Sequence, residues 1–144
     1  MNTFRLDSVS TIAAERFRRA SSYKRRKAVL VACIYVASSV DLATPEVAEA
    51  LSVLRESSVS HGSLRQRLEE TAAGIDEQYF QLDESGDPVK KREALVLFSR
   101  ARVDTALAFS LSDDDGQIHD AIYETLIALE DPAELVRLVE GALE

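Results

Sequence analysis

The chain has 144 residues, 46% of them apolar and 29% charged, with one cysteine and a formal net charge of −8. That length supports a single domain with a core of its own. One cysteine excludes an internal disulfide and a Cys-based zinc site, so a reducing, cytoplasmic setting is expected.

Ala, Leu, Glu and Arg dominate, while five Gly and three Pro leave little punctuation for strands and turns. Apolar residues recur at i, i+3, i+4 and predict helices over 8–20, 23–40, 45–57, 63–82, 88–111, 117–130 and 132–143. The first is amphipathic through Ala13, Phe17 and Ala20. Continued as one helix, that face would run into Lys24 and Lys27, so a break is expected at Ser21-Ser22. Residues 28–40 are apolar on nearly every side and read as a central buried helix, with Cys33 an inert thiol inside it. The order of KRRK and a thirteen-residue apolar run imitates a targeting signal. The run is shorter than the roughly 20 residues that span a bilayer, and its basic region starts far from Met1, so no membrane segment is expected.

Each proline follows a capping residue. Thr44-Pro45, Asp87-Pro88 and Asp131-Pro132 read as N-cap and first helical residue, and Glu134 adds a capping-box acid to the last. Val47, Ala50, Leu51 and Leu54 form one stripe. Leu64, Leu68, Ala72, Ile75 and Tyr79 form a longer one. Residues 94–111 are apolar nearly all round and read as a second central helix. Arg65–Glu69 and Arg100–Asp104 are spaced for i, i+4 ion pairs. The expected fold is an all-α, single-domain bundle of about six to seven helices with two central apolar helices. It spans residues 1–144, with 1–22 a loosely packed basic N-terminal helix.

Charge is divided along the chain. Residues 1–27 carry eight Lys/Arg against two acids, whereas residues 113–144 carry ten acids against Arg137 alone. Such fields act on partner choice and encounter rates more than on fold. The acidic third, through Asp113, Asp114, Asp115, Asp120 and Glu124, is the expected docking surface for a basic protein. The basic cluster of Arg16, Arg18, Arg19, Lys24, Arg25, Arg26 and Lys27 is the alternative. It suits an intramolecular contact, a homodimer in which it meets the partner's acidic end, or phosphate contacts of a nucleic-acid-associated regulator. A net charge of −8 disfavours the last. Lys24–Lys27 also fall in a first helical turn, where cations oppose the macrodipole.

Other constellations stay incomplete. Asp113, Asp115 and Gly116 match the middle of an EF-hand loop, but Leu111 and Ile122 occupy the first and last ligand positions. His61 lies in a Ser-rich stretch, and His119 can face Asp115 and Tyr123 along one helix. Neither assembles a metal or acid–base site. No phosphate loop, nucleophile elbow or HExxH is present, so neither enzymatic activity nor a cofactor is expected.

Arg25-Arg-Lys-Ala-Val-Leu-Val-Ala-Cys33 inside an early core helix, the Ala-rich helix over 47–54, and Lys91-Arg-Glu-Ala-Leu95 leading into a long apolar helix give the chain an outline. That outline resembles small all-helical bacterial immunity proteins, which neutralise a toxin made by the same or a rival cell. The resemblance covers about half the chain and transfers no functional residues. It implies a protein-binding role, and an acidic surface would suit inhibition of a basic toxin.

Overall fold

In the computed structural model, residues 5–56, 62–112 and 114–144 are described, Asp115 by its backbone alone. Among them are a 3-10 turn, Arg5–Ser8, and seven α-helices: α1 Thr11–Arg19, α2 Ser22–Ser39, α3 Pro45–Glu56, α4 Gly62–Asp83, α5 Pro88–Ser110, α6 Asp115–Ile127 and α7 Ala133–Ala142.

Local chemistry sets these boundaries. Ser10 Oγ accepts the Ala13 N–H at 3.0 Å and starts α1. Ala20 is extended, and Ser21 Oγ accepts the Lys24 N–H at 3.2 Å, so the chain breaks at the serines as expected. Thr44 and Asp87 cap the two proline-led helices through the N–H groups of Val47 and Val89, at 3.2 and 3.0 Å. α7 starts one residue later than expected. Pro132 is its cap, and Asp131 accepts the Ala133 N–H at 3.1 Å from one position further out.

Helix α2 is the hub and packs against α3, α5, α6 and α7. It buries Ala28, Val29, Ala32, Cys33, Val36 and Ala37, and its small side chains let the surrounding helices approach closely. Phe17, Leu107, Ile118, Ile122 and Leu135 fill the space around it. Each such side chain contributes about 1.5–3 kcal/mol of transfer free energy. Leu6 and Phe17 are fully buried, so the N-terminal segment is not the loosely packed helix the sequence suggests. Its apolar face is completed by Leu6 of the 3-10 turn, which the periodicity leaves out.

Two other expectations are corrected. Residues 94–111 do not form a helix buried along its whole length. Helix α4 packs mainly on α5, with a smaller contact on α3, and the pair extends beyond the body as an arm. Across residues 73–100 only Ala94 is buried, while Val89, Leu95 and Val96 are 62%, 63% and 50% exposed. Full burial begins only at Ala101, where α2 and α6 close over α5. Second, Arg65 and Glu69 pair at 3.1 Å, but the Arg100–Asp104 pair is absent among the described residues. Asp104 turns inward, 1% exposed, under the influence of Glu46 on α3.

Candidate functional site

The basic cluster is largely spent on the ends of helices. Arg25 donates from Nε to the Phe17 carbonyl at 2.8 Å and from Nη2 to the Arg18 carbonyl at 3.0 Å, at the C-terminus of α1. Its guanidinium also lies 4.7 Å from the Phe17 ring centroid. Arg26 donates to the Ser110 carbonyl, the last of α5, at 3.2 Å. Arg16 and Lys24 reach the end of α7, donating to the carbonyls of Glu140 at 2.9 Å and Glu144 at 2.5 Å. Arg18 pairs with Asp7 at 2.6 Å, and the exposed Arg19 lies 3.7 Å from Glu15. Lys27 is exposed. Orphan carbonyls and the negative macrodipole end both favour cations there. Cations that oppose the dipole of α2 therefore serve the C-termini of α1, α5 and α7.

The predicted acidic side chains that are described, those of Asp114, Asp120 and Glu124, do not form one surface. Asp113 lies outside the described residues, as does the side chain of Asp115. Asp114 is the N-cap of α6, accepting the Gly116 N–H at 2.8 Å. Asp120 lies 3.5 Å from His119 Nδ1. Glu124 is 3% exposed and points inward, between Arg102 at 3.3 Å and Arg5 at 3.9 Å. Burial lifts its carboxyl above the usual range, although both arginines pull the other way. Glu124 is therefore unavailable to a docking partner. Arg102 joins three elements, since it also pairs with Asp76 of α4 at 2.5 Å and lies over Phe98 at 5.3 Å.

The remaining candidates are structural. His61 lies outside the described residues. His119 packs edge-on against Phe17 at 5.9 Å, and burial lowers its pKa, which favours the neutral ring. Burial pushes the Cys33 thiol up to about 12, with a Ser110 hydrogen bond opposing only part of the rise. No group of three or more His, Cys, Asp or Glu able to hold a metal occurs among the described residues. No helix among them is long and apolar enough to cross a membrane.

The arm does create a site. Where α5 leaves the body, a groove of about 510 Å³ opens between α5 and the C-terminal ends of α2 and α6. Val40, Leu95, Val96, Phe98, Ile127 and Leu129 give it an apolar lining, and Asp41 and Glu130 form its charged lip. No Lys or Arg lines it among the described residues. Neither α2 nor α6 carries a basic residue in its last turn, so the negative dipole ends of both reinforce the two carboxylates. Tyr35, one turn before Ser39, stands within reach of neighbouring carboxylates. Partial burial first, and then the charges of Glu134 and Asp131, hold its phenol above the ordinary pKa.

Asp41 occupies an unusual position. The chain leaves α2 through Leu42 N–H bonded to the Ala37 carbonyl at 3.0 Å and Asp41 N–H bonded to the Ser38 carbonyl at 3.2 Å. This reversal puts the residue after the cap in the left-handed region, normally the place of glycine. Asp41 holds φ +52 there. A carboxylate at the lip is thus kept where glycine would be less strained.

The comparisons with known proteins name no relative: no family model, no curated protein and no solved structure matches the chain. Sequence reasoning missed the groove because its walls come from residues 39–41, 95–99 and 127–130, which share no motif. Two signals pointed toward it. One is an aspartate directly after the apolar run of α2. The other is a helix too apolar, at Leu95 and Val96, for an arm that projects from the body.

Proposed function

We propose that the protein is a non-catalytic binding module that docks a basic segment of another protein in the groove between α2, α5 and α6. The observation that supports this most directly is an apolar floor joined to a lip of carboxylates and helix C-termini, with no cation lining it among the described residues. The apolar floor gives affinity through burial, and the lip selects positive partners and speeds encounter. The acidic third still contributes, but through Glu130, with Asp131 and Glu134 nearby, rather than through Glu124. Inhibition of the immunity type, in which a basic toxin is covered by its acidic partner, is the role such a seat would serve.

The test compares partners captured from host extract by the wild type and by a variant carrying Asp41→Asn with Glu130→Gln. Both replacements are exposed, and asparagine tolerates the left-handed backbone. A basic protein retained by the wild type in low salt and lost by the variant is the expected result. Equal capture by both would refute the groove as the seat.

A further inference from the structure

We infer that the basic segment the groove seats is the arm of a second copy of this chain, giving a two-fold dimer of crossed arms. The inference rests on the groove being a docking seat and names one occupant for it. The first turns of α5 carry Val89, Lys90, Lys91 and Arg92, all exposed. Lys91 and Arg92 lie four and three residues before Leu95, and Val89 and Arg92 lie seven and four before Val96, so all share one helix face. That face has an exposed apolar stripe, Val89, Leu95 and Val96, and a pair of cations, and it continues directly into the acid-lipped groove.

The two halves are self-complementary. A two-fold axis near Leu95 and Val96 packs these side chains on their own copies. Lys91 stands about 6 Å from Leu95 toward the tip of the arm, four residues at 1.5 Å each. Ser99 stands the same distance from Leu95 toward the body, in the same groove lining as Asp41 and Glu130. The axis therefore lays Lys91 and Arg92 of each copy over Asp41 and Glu130 of the other, twice. An isologous contact of this kind closes on itself and forms no filament. The cations differ from those the sequence suggested for a dimer, since Arg16, Lys24, Arg25 and Arg26 already serve helix ends within the chain.

Sedimentation equilibrium of the full chain in low and high salt tests this. The wild type should dimerise in low salt and dissociate as the ionic strength approaches about 0.5 M, where exposed pairs are screened. Lys91→Glu with Arg92→Glu should weaken the dimer at least about tenfold, and so should Glu130→Lys. Mixing these two variants should restore association as a mixed dimer, which a merely misfolded variant would not do. Leu95→Glu should abolish association alone and in mixtures. A wild type that stays monomeric at high protein concentration in low salt overturns the inference. So does a dimer that ignores all three variants, because its interface then lies elsewhere. Either result leaves the capture experiment standing: a basic protein still lost on Asp41→Asn with Glu130→Gln keeps the groove as a seat for another protein.

Discussion

Asp104→Asn should gain about 3 kcal/mol of stability relative to the wild type between acid and neutral pH. Asp104 lies at the α3–α5 interface, 1% exposed, and its Oδ2 has no hydrogen-bond partner. Burial first, and the neighbouring Glu46 second, raise its pKa from 3.8 to about 6. A rise of that size corresponds to about 3 kcal/mol between the ionised and neutral forms. The sign follows from proton binding. Between pH 4 and 6, roughly, the folded state holds a proton that the unfolded chain has released, so stability falls as pH rises through this window. Below it the cost is absent, and above it the cost is complete. Asparagine keeps the shape and removes the charge, but its amide N–H groups need partners, an offset of about 1–3 kcal/mol if one is left buried and unmatched. The net gain near pH 7.5 should be about 0–2 kcal/mol, and in acid only the amide offset remains. Urea unfolding followed by far-UV circular dichroism, at a series of pH values, measures it as a shifted midpoint with unchanged slope. A stability difference that does not change with pH would refute the reasoning, because Asp104 would then bind its proton equally well in the folded and unfolded states.

Replacing Arg102 with Met should destabilise the fold by about 3–5 kcal/mol, because it leaves the buried Glu124 with only the longer 3.9 Å contact to Arg5 and takes from Asp76 its partner on α5; adding Glu124→Leu should recover most of the loss, read by the same unfolding assay. Cys33 should resist thiol reagents in the native protein at pH 8, and labelling as fast as an unfolded control would show that the thiol is accessible. Asp41→Gly should gain about 0.5–1 kcal/mol in unfolding free energy by relieving the left-handed aspartate, while weakening low-salt capture of a basic partner. Glu130→Lys should likewise hold or raise stability by up to about 1 kcal/mol at the end of α6, while abolishing that capture; a loss of stability in either lip variant would contradict the electrostatic account.

The fold was legible where local chemistry decides it. Three capping-residue–proline pairs mark three helix starts, and the conflict between the Ala13–Phe17 face and Lys24 marks the α1–α2 break. Long-range placement was not legible. Residues 28–40 and 94–111 carry the same signal, apolar on nearly every side, yet α2 is surrounded and the first half of α5 is not. Periodicity reports that a face is apolar, not whether the chain itself covers it. Leu95 and Val96 line an open groove, and no local pattern separates them from Leu107 in the core. Charge was misleading for the same reason. Glu124 belongs to the acidic third by sequence, but its position on α6 opposite Arg102 makes it an interior group.

The separation of charge along the chain acquires a different meaning in three dimensions. Arg16, Lys24, Arg25 and Arg26 are used at the C-termini of α1, α5 and α7, where cations are favourable. At the C-termini of α2 and α6 the arrangement is the reverse, with Asp41 and Glu130 set against dipole ends of their own sign. Each such placement costs about 0.3–1 kcal/mol, and Asp41 adds the strain of its positive φ. Folding gains nothing from these two carboxylates, and basic residues or a glycine would serve it better. Both nevertheless stand on one lip, over an apolar groove with no cation among the described residues that line it. Unfavourable charge concentrated at an apolar groove is what a seat for a positive segment requires, since the ligand then relieves repulsion that the free protein retains.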